Sequence, residues 1–158
     1  MHTNKRLLQW FEAFKTHELT PVISMTLGVK LALWLIGVTV FAVVTQQQQL
    51  HLGDIAAIAN HWDAPHYISI AQNGYQGSGP DRFLVAFFPL FPWVVRVFAS
   101  FVGDYIWSAL LASTICSLLM SIMFYKLVRL DWPVAVARRA VWWLLIFPTA
   151  YFPGRAPT

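Results

Sequence analysis

The chain has 158 residues, of which 58% are hydrophobic, 16% aromatic and 11% charged, and its formal net charge is +4. A soluble domain carries about 25% charged and about 45–50% apolar residues, and a small one has a large surface to cover with polar groups. The balance excludes a soluble globular domain and a disordered chain, and a single cysteine, Cys116, excludes a disulfide scaffold; what remains is a polytopic membrane protein.

In chain order, Leu7–Phe14 with Lys5, Arg6 and Lys15 around it reads as a short interfacial amphipathic helix. The run Leu19–Thr45, broken only by Lys30, exceeds the about 20 apolar residues that a bilayer requires. Pro21 suits a first helical turn, so a span is predicted over about 21–45. No small-residue cleavage site precedes Gln46–Gln49, which argues against a cleaved signal peptide. Phe83–Gly103 is apolar but interrupted by Pro89, Pro92 and Arg96. Tyr105–Tyr125, free of charge, predicts a second span over about 105–127, with Cys116 as a small packing residue within it. Ala140–Gly154 predicts a third, short span over about 140–154.

Phe83–Gly103 decides the topology. If it crosses, there are four spans, and Lys126, Arg129, Arg138 and Arg139 lie opposite the basic N-terminus. If it lies along the interface or re-enters, all these cations share one side, as the positive-inside rule favours; the two prolines also suit a kinked segment. The expected arrangement is a cytoplasmic N-terminus, three spans and one extracytoplasmic loop over about 46–104. That loop holds four of the seven acidic residues: Asp54, Asp63, Asp81 and Asp104. The eleven Lys and Arg flank apolar runs instead of forming a polar, aromatic-interleaved patch, so no nucleic-acid partner is expected.

The loop carries the chemistry-bearing residues, in HWDAPHYISIAQNGYQGSGPDRFLVAFFPLFP from His61 to Pro92. Asp63–Gln72 reads as a short helix lying on the membrane, with Asp63 at its N-terminus, followed by a turn containing Gly74, Gly77, Gly79 and Pro80. Asp63 is open to two readings: a helix N-cap, or a general base or ligand of substrate or metal. His61, Asp63 and His66 have a spacing that could hold a divalent ion, although such trios more often form interfacial hydrogen bonds. Trp62, Tyr67, Tyr75 and Trp93 are aromatic-belt residues in the simplest reading. Arg96 fits snorkelling to the interface; for Lys30 a contact with an anion competes evenly with that reading.

WDAPHYISIAQNGY, followed after a Gly-rich turn by AFFPLFP and later by IFPTAYF (Ile146–Phe152), resembles the PIG-V family of mannosyltransferases within the GT-C superfamily. The three blocks keep their order over about ninety residues. The resemblance implies an all-α fold of polytopic transmembrane helices, with membrane-parallel helices in the first extracytoplasmic loop. It implies transfer of a sugar, most simply mannose, from a polyprenyl-phosphate carrier to a hydroxyl of a lipid or glycan acceptor at the extracytoplasmic face of a bacterial inner membrane. The superfamily's first-loop acid corresponds to Asp63, which would take the acceptor proton as general base. Arg82, and less directly Arg96 and Lys30, would meet the lipid phosphate, while His66 and Tyr67 would hydrogen-bond sugar hydroxyls. No cofactor is expected and no metal ligand is assigned.

Three departures accompany the resemblance. His61 stands where many members have a basic residue before the Trp-Asp pair, and Asp81-Arg82 stands where eukaryotic members have an acid before AFFP. Relatives run on through further spans after PTAYF, whereas this chain ends in PGRAPT. Residues 1–158 are therefore expected to be a single partial membrane domain, the N-terminal portion of a longer enzyme. The competing expectation is a non-catalytic small membrane subunit or an inactive truncated remnant.

Overall fold

The computed structural model describes residues 16–46 and 52–147. The expected interfacial helix over Leu7–Phe14 and the last part of the third apolar run, 148–154, lie outside the described residues. Within them the protein is helical, with no strand: α1 (Thr16–Thr45), α2 (Leu52–Ala59), α3 (Ala64–Asn73), a 3-10 helix (Pro80–Ala86), α4 (Leu90–Val102), α5 (Tyr105–Arg129) and α6 (Val134–Ile146). Two of these are long and apolar enough to cross a membrane, Glu18–Thr45 and Tyr105–Arg129. At about 1.5 Å per residue, even 25 residues exceed the about 30 Å of a hydrocarbon core.

Helix α1 is apolar all round, and Leu31, Leu35, Ile36, Val40, Val43 and Val44 are all exposed; such a helix is stable only in an apolar surrounding. Its hydroxyls are satisfied within the helix: Thr26 Oγ1 donates to the Val22 carbonyl at 2.9 Å and Thr39 Oγ1 to the Leu35 carbonyl at 2.7 Å. Bonding back to the preceding turn removes the cost of an unpaired hydroxyl in lipid. Pro21 does not mark the first turn, because α1 already runs from Thr16 and holds the proline inside. Only one backbone N–H is lost there, close to the helix start, and the following apolar turns continue unbroken.

The chain divides into two compact units, Met1–Leu33 with Cys116–Thr158, and Trp34–Ile115. In the first, Val22 of α1, Tyr125 of α5 and Ala137, Val141 and Leu145 of α6 form a buried cluster. A polar tie accompanies it. The Tyr125 hydroxyl donates to Glu18 Oε2 at 3.0 Å, and Arg129 Nε lies 3.7 Å from the same oxygen. Lys126 and Arg129 fall in the last turn of α5, where cations complement the helix dipole. Glu18 beside Arg129 places the start of α1 next to the end of α5.

Helix α6 begins at Val134, just after Pro133, six residues before the start of the predicted third span. It carries Arg138 and Arg139 inside it, and its thirteen residues reach about 20 Å, less than a hydrocarbon core.

The second unit is organised around α3 and α4. Ala71 of α3, Val95 of α4 and Ala112 of α5 form its buried cluster, with Phe91, Val94, Phe98, Tyr105 and Ala109 packed around them. The 3-10 helix and α4 are bent by 110° relative to each other, across Phe87–Pro89. Pro89 disfavours a helical conformation at Phe88, so the break is written into the sequence. Gly103, with φ of 83°, ends α4 in the left-handed conformation and turns the chain into α5.

Candidate functional site

The second unit holds the residues that the sequence singled out around the Trp-Asp pair. Pro65, in the first turn of α3, and Asp63 at its N-cap fix where that helix starts. Asp63 has φ −81° and ψ −11°, and its carboxylate makes no capping hydrogen bond. The structure thus separates the two readings of this residue: Asp63 occupies the cap position, but its side chain does not cap. The backbone takes over that task, the Asp63 carbonyl accepting from the N–H groups of His66 at 3.1 Å and Tyr67 at 3.2 Å. The carboxylate is exposed and has no hydrogen-bond partner among the described residues.

Trp62, immediately before it, has φ of 61° and is 82% exposed. A left-handed backbone is uncommon for a bulky residue and costs on the order of 1–3 kcal/mol. This strain sits next to the one carboxylate whose expected role is chemical.

His66 and Tyr67 lie one turn along. The His66 ring is 5.3 Å from that of Phe87, and Tyr67 meets Phe87 and Phe91 edge-on at 5.1 and 5.5 Å. Aromatic packing therefore orients both side chains, and the Tyr67 hydroxyl keeps its hydrogen-bonding capacity free of partners among the described residues. Arg82, in the 3-10 helix, is exposed, with its guanidinium 4.5 Å from the centroid of the Phe83 ring; the cation–π contact leaves its N–H fork able to meet an anion. Lys30 is partly buried in α1 and belongs to the first unit. Asp63, His66, Tyr67 and Arg82 thus share one unit, and Lys30 does not.

Three contacts hold this segment together. Ser69 donates to Asp81 Oδ2 at 3.2 Å, linking α3 to the 3-10 helix. The Tyr75 hydroxyl donates to the Phe87 carbonyl at 2.7 Å. Arg96 of α4 reaches back to the end of α3, its Nε 2.6 Å from the Ala71 carbonyl and its Nη2 3.4 Å from those of Ile70 and Gln72. These contacts give Arg96 a role that the snorkelling reading does not contain. Its guanidinium satisfies the Ala71 and Gln72 carbonyls, which a helix C-terminus leaves without partners, while that of Ile70 also accepts from the Gly74 N–H.

No group of three His, Cys, Asp or Glu side chains placed to hold a metal ion occurs among the described residues. His61, Asp63 and His66, although suitably spaced in sequence, are not gathered into such a group.

Sequence reasoning missed a second feature of this unit, a cavity of about 370 Å³ lined by Asn60, Pro65, Ile68, Ser69, Gln72, Gly103, Asp104, Tyr105 and Ile106. None of the residues assigned from sequence lines it. One face of α3, the 65–68–72 stripe, forms a wall; His66 and Tyr67 point elsewhere. Asp104 caps α5, its Oδ1 accepting from the Trp107 N–H at 2.9 Å. Asn60 Oδ1 is buried and has no hydrogen-bond partner among the described residues, which costs about 1–3 kcal/mol. The available signal was small: an Asn directly before His61, and an Asp directly before a long apolar run. No family model, no characterised protein and no solved structure matches this chain.

Proposed function

We propose that the protein is a membrane-embedded glycosyltransferase that moves a sugar, mannose in the simplest case, from a polyprenyl-phosphate carrier to a hydroxyl of a lipid or glycan acceptor. The observation that carries this reading is the uncapped, exposed carboxylate of Asp63 at the start of α3. It lies in the stretch between two helices long enough to cross a membrane. A general base must be free to receive a proton, and a side chain spent on capping is not.

The chemistry is a single displacement. Asp63 accepts the proton of the acceptor hydroxyl while its oxygen attacks the anomeric carbon, and the phosphate ester leaves with the bonding pair. Arg82 offers the leaving phosphate a cationic fork, and His66 and Tyr67 offer hydrogen bonds to the sugar. The resemblance of WDAPHYISIAQNGY and AFFPLFP to the PIG-V mannosyltransferases favours this assignment of roles.

The membrane arrangement that we infer puts the N-terminus and the end of α5 on the cytoplasmic side. It puts α2, α3 and α4 in an extracytoplasmic loop along the surface of a bacterial inner membrane. Contact between Glu18 and Arg129 supports this, because a chain that returns to its starting side makes an even number of crossings. The basic end of α5, and Arg138 and Arg139 in the first half of α6, agree with it.

The test is transfer from mannosyl phosphoryl polyprenol in vesicles holding the protein. Asp63→Asn is expected to lower transfer about 10²–10⁴-fold, the contribution of a general base. Unimpaired transfer by the Asn variant would overturn the role of Asp63, and absence of transfer by the parent protein would overturn the proposed function.

A further inference from the structure

The cavity beside α3 has a wall whose hydrogen-bonding groups can be counted. Ser69 is engaged with Asp81 and receives the Asn73 amide at 3.5 Å. Asp104 has spent one oxygen on Trp107, and its other oxygen is uncommitted among the described residues. The Gln72 amide is exposed and makes no hydrogen bond with the described residues. Asn60 borders the cavity with an amide whose oxygen lacks a donor. The N–H groups of Tyr105 and Ile106, in the first turn of α5, have no acceptor within the helix. Both acceptors and donors thus border the space. Pro65, Ile68 and Ile106 add an apolar flank, and no Lys, Arg or His lines it.

Each ligand class meets this wall differently. An anionic group finds no counter-charge and one carboxylate against it. An ammonium group finds acceptors, but it also faces the positive end of the α5 dipole. A vicinal diol fits, because every hydroxyl both donates and accepts and the C–H face of a ring can lie on Ile68 and Pro65. The volume lies near the lower end of the about 300–1,000 Å³ range of small-ligand sites.

We propose that this cavity is a binding site for an uncharged, hydroxyl-rich ring of monosaccharide size, read by Asn60, Gln72 and Asp104 and separate from Asp63. A ligand hydroxyl that draws the Asn60 amide round supplies the donor which its oxygen lacks. The inference concerns binding alone and does not rest on the proposed transfer reaction.

The experiment is saturation-transfer NMR on the full chain in phosphatidylcholine nanodiscs, with methyl α-mannopyranoside and myo-inositol as neutral probes. Inositol 1-phosphate and ethanolamine serve as the charged counterparts. Both neutral probes are expected to give saturable signals in the millimolar range. Gln72→Ala, an exposed position that leaves the packing intact, is expected to weaken them about 2- to 10-fold, the range of one hydrogen bond. Asn60→Ala should act in the same direction. A galactolipid added to the nanodisc separates the sources: competition assigns the ring to a lipid headgroup, and lack of competition to a soluble sugar. The site as proposed is overturned by absence of saturable signal, by a charged probe binding as well as the neutral ones, or by Gln72→Ala binding like the parent with unchanged circular dichroism. Because the readout is binding, its failure is distinguishable from loss of transfer in the Asp63 test.

Discussion

The two long helices and the segment between them both expose large apolar side chains and handle them in opposite ways. Helix α1 shows apolar side chains on every side and pairs its hydroxyls internally. The stretch from Asn60 to Asp104 is broken into short helices, and polar contacts at a distance set their positions: Arg96 on the end of α3, Ser69 on Asp81, Tyr75 on Phe87. A uniform helix needs only an apolar solvent to be stable, whereas a bent one must be tied, and the ties hold side chains at fixed places. Candidate chemistry is concentrated in the tied region.

One substitution made in both regions sharpens the contrast most. Arginine at Ile36, on the exposed apolar surface of α1, is expected to cost about 2.5–3.5 kcal/mol of membrane insertion. Arginine at Ser100, exposed on α4, should leave insertion unchanged; a glycosylation-mapping assay of insertion efficiency measures both. Equal losses would remove the distinction between the two regions. A smaller effect tests the ties themselves. Arg96→Met removes charge-assisted hydrogen bonds worth about 1.5–3 kcal/mol when buried; on this exposed side chain about 1–2 kcal/mol is expected. The loss should appear as faster amide exchange in α3 with exchange in α1 unaltered. Smallest is Tyr125→Phe, which removes the bond to Glu18 from a side chain that is 0% exposed. A loss of about 0.5–1.5 kcal/mol is expected in detergent thermal melts.

How far these regions could be read from sequence follows from the range of the interactions. The helical class and the two long apolar helices follow from composition and runs of side chains, because the solvent that stabilises them touches each residue independently. Helix α1 starts ahead of Pro21, since a proline near a helix N-terminus disturbs too little to mark it. Helix α6 starts ahead of the apolar run at Ala140 because long cationic side chains such as Arg138 and Arg139 can lie along a helix, whose break is Pro133. The role of Arg96 was hidden because its acceptors lie about 25 residues earlier, beyond any local pattern. The same holds for the cavity, whose wall combines the end of α2, one face of α3 and the start of α5. Asp63 could be placed at a helix start by Pro65, but the freedom of its carboxylate could not be inferred from spacing.

The contacts of Arg96, Ser69 and Tyr75 also predict where evolution is free to edit this segment. They fix both ends of the excursion between α3 and the 3-10 helix. The exposed residues from Tyr75 to Gly79 then close a loop whose ends are already held together. Closing a longer loop between fixed ends costs only slightly more, about 0.6 kcal/mol per doubling. Insertions or a reporter peptide placed between Gln76 and Ser78 should therefore be accepted. An indel of a single residue between Leu90 and Arg96 would turn the guanidinium off the end of α3 and uncouple the two halves of the motif.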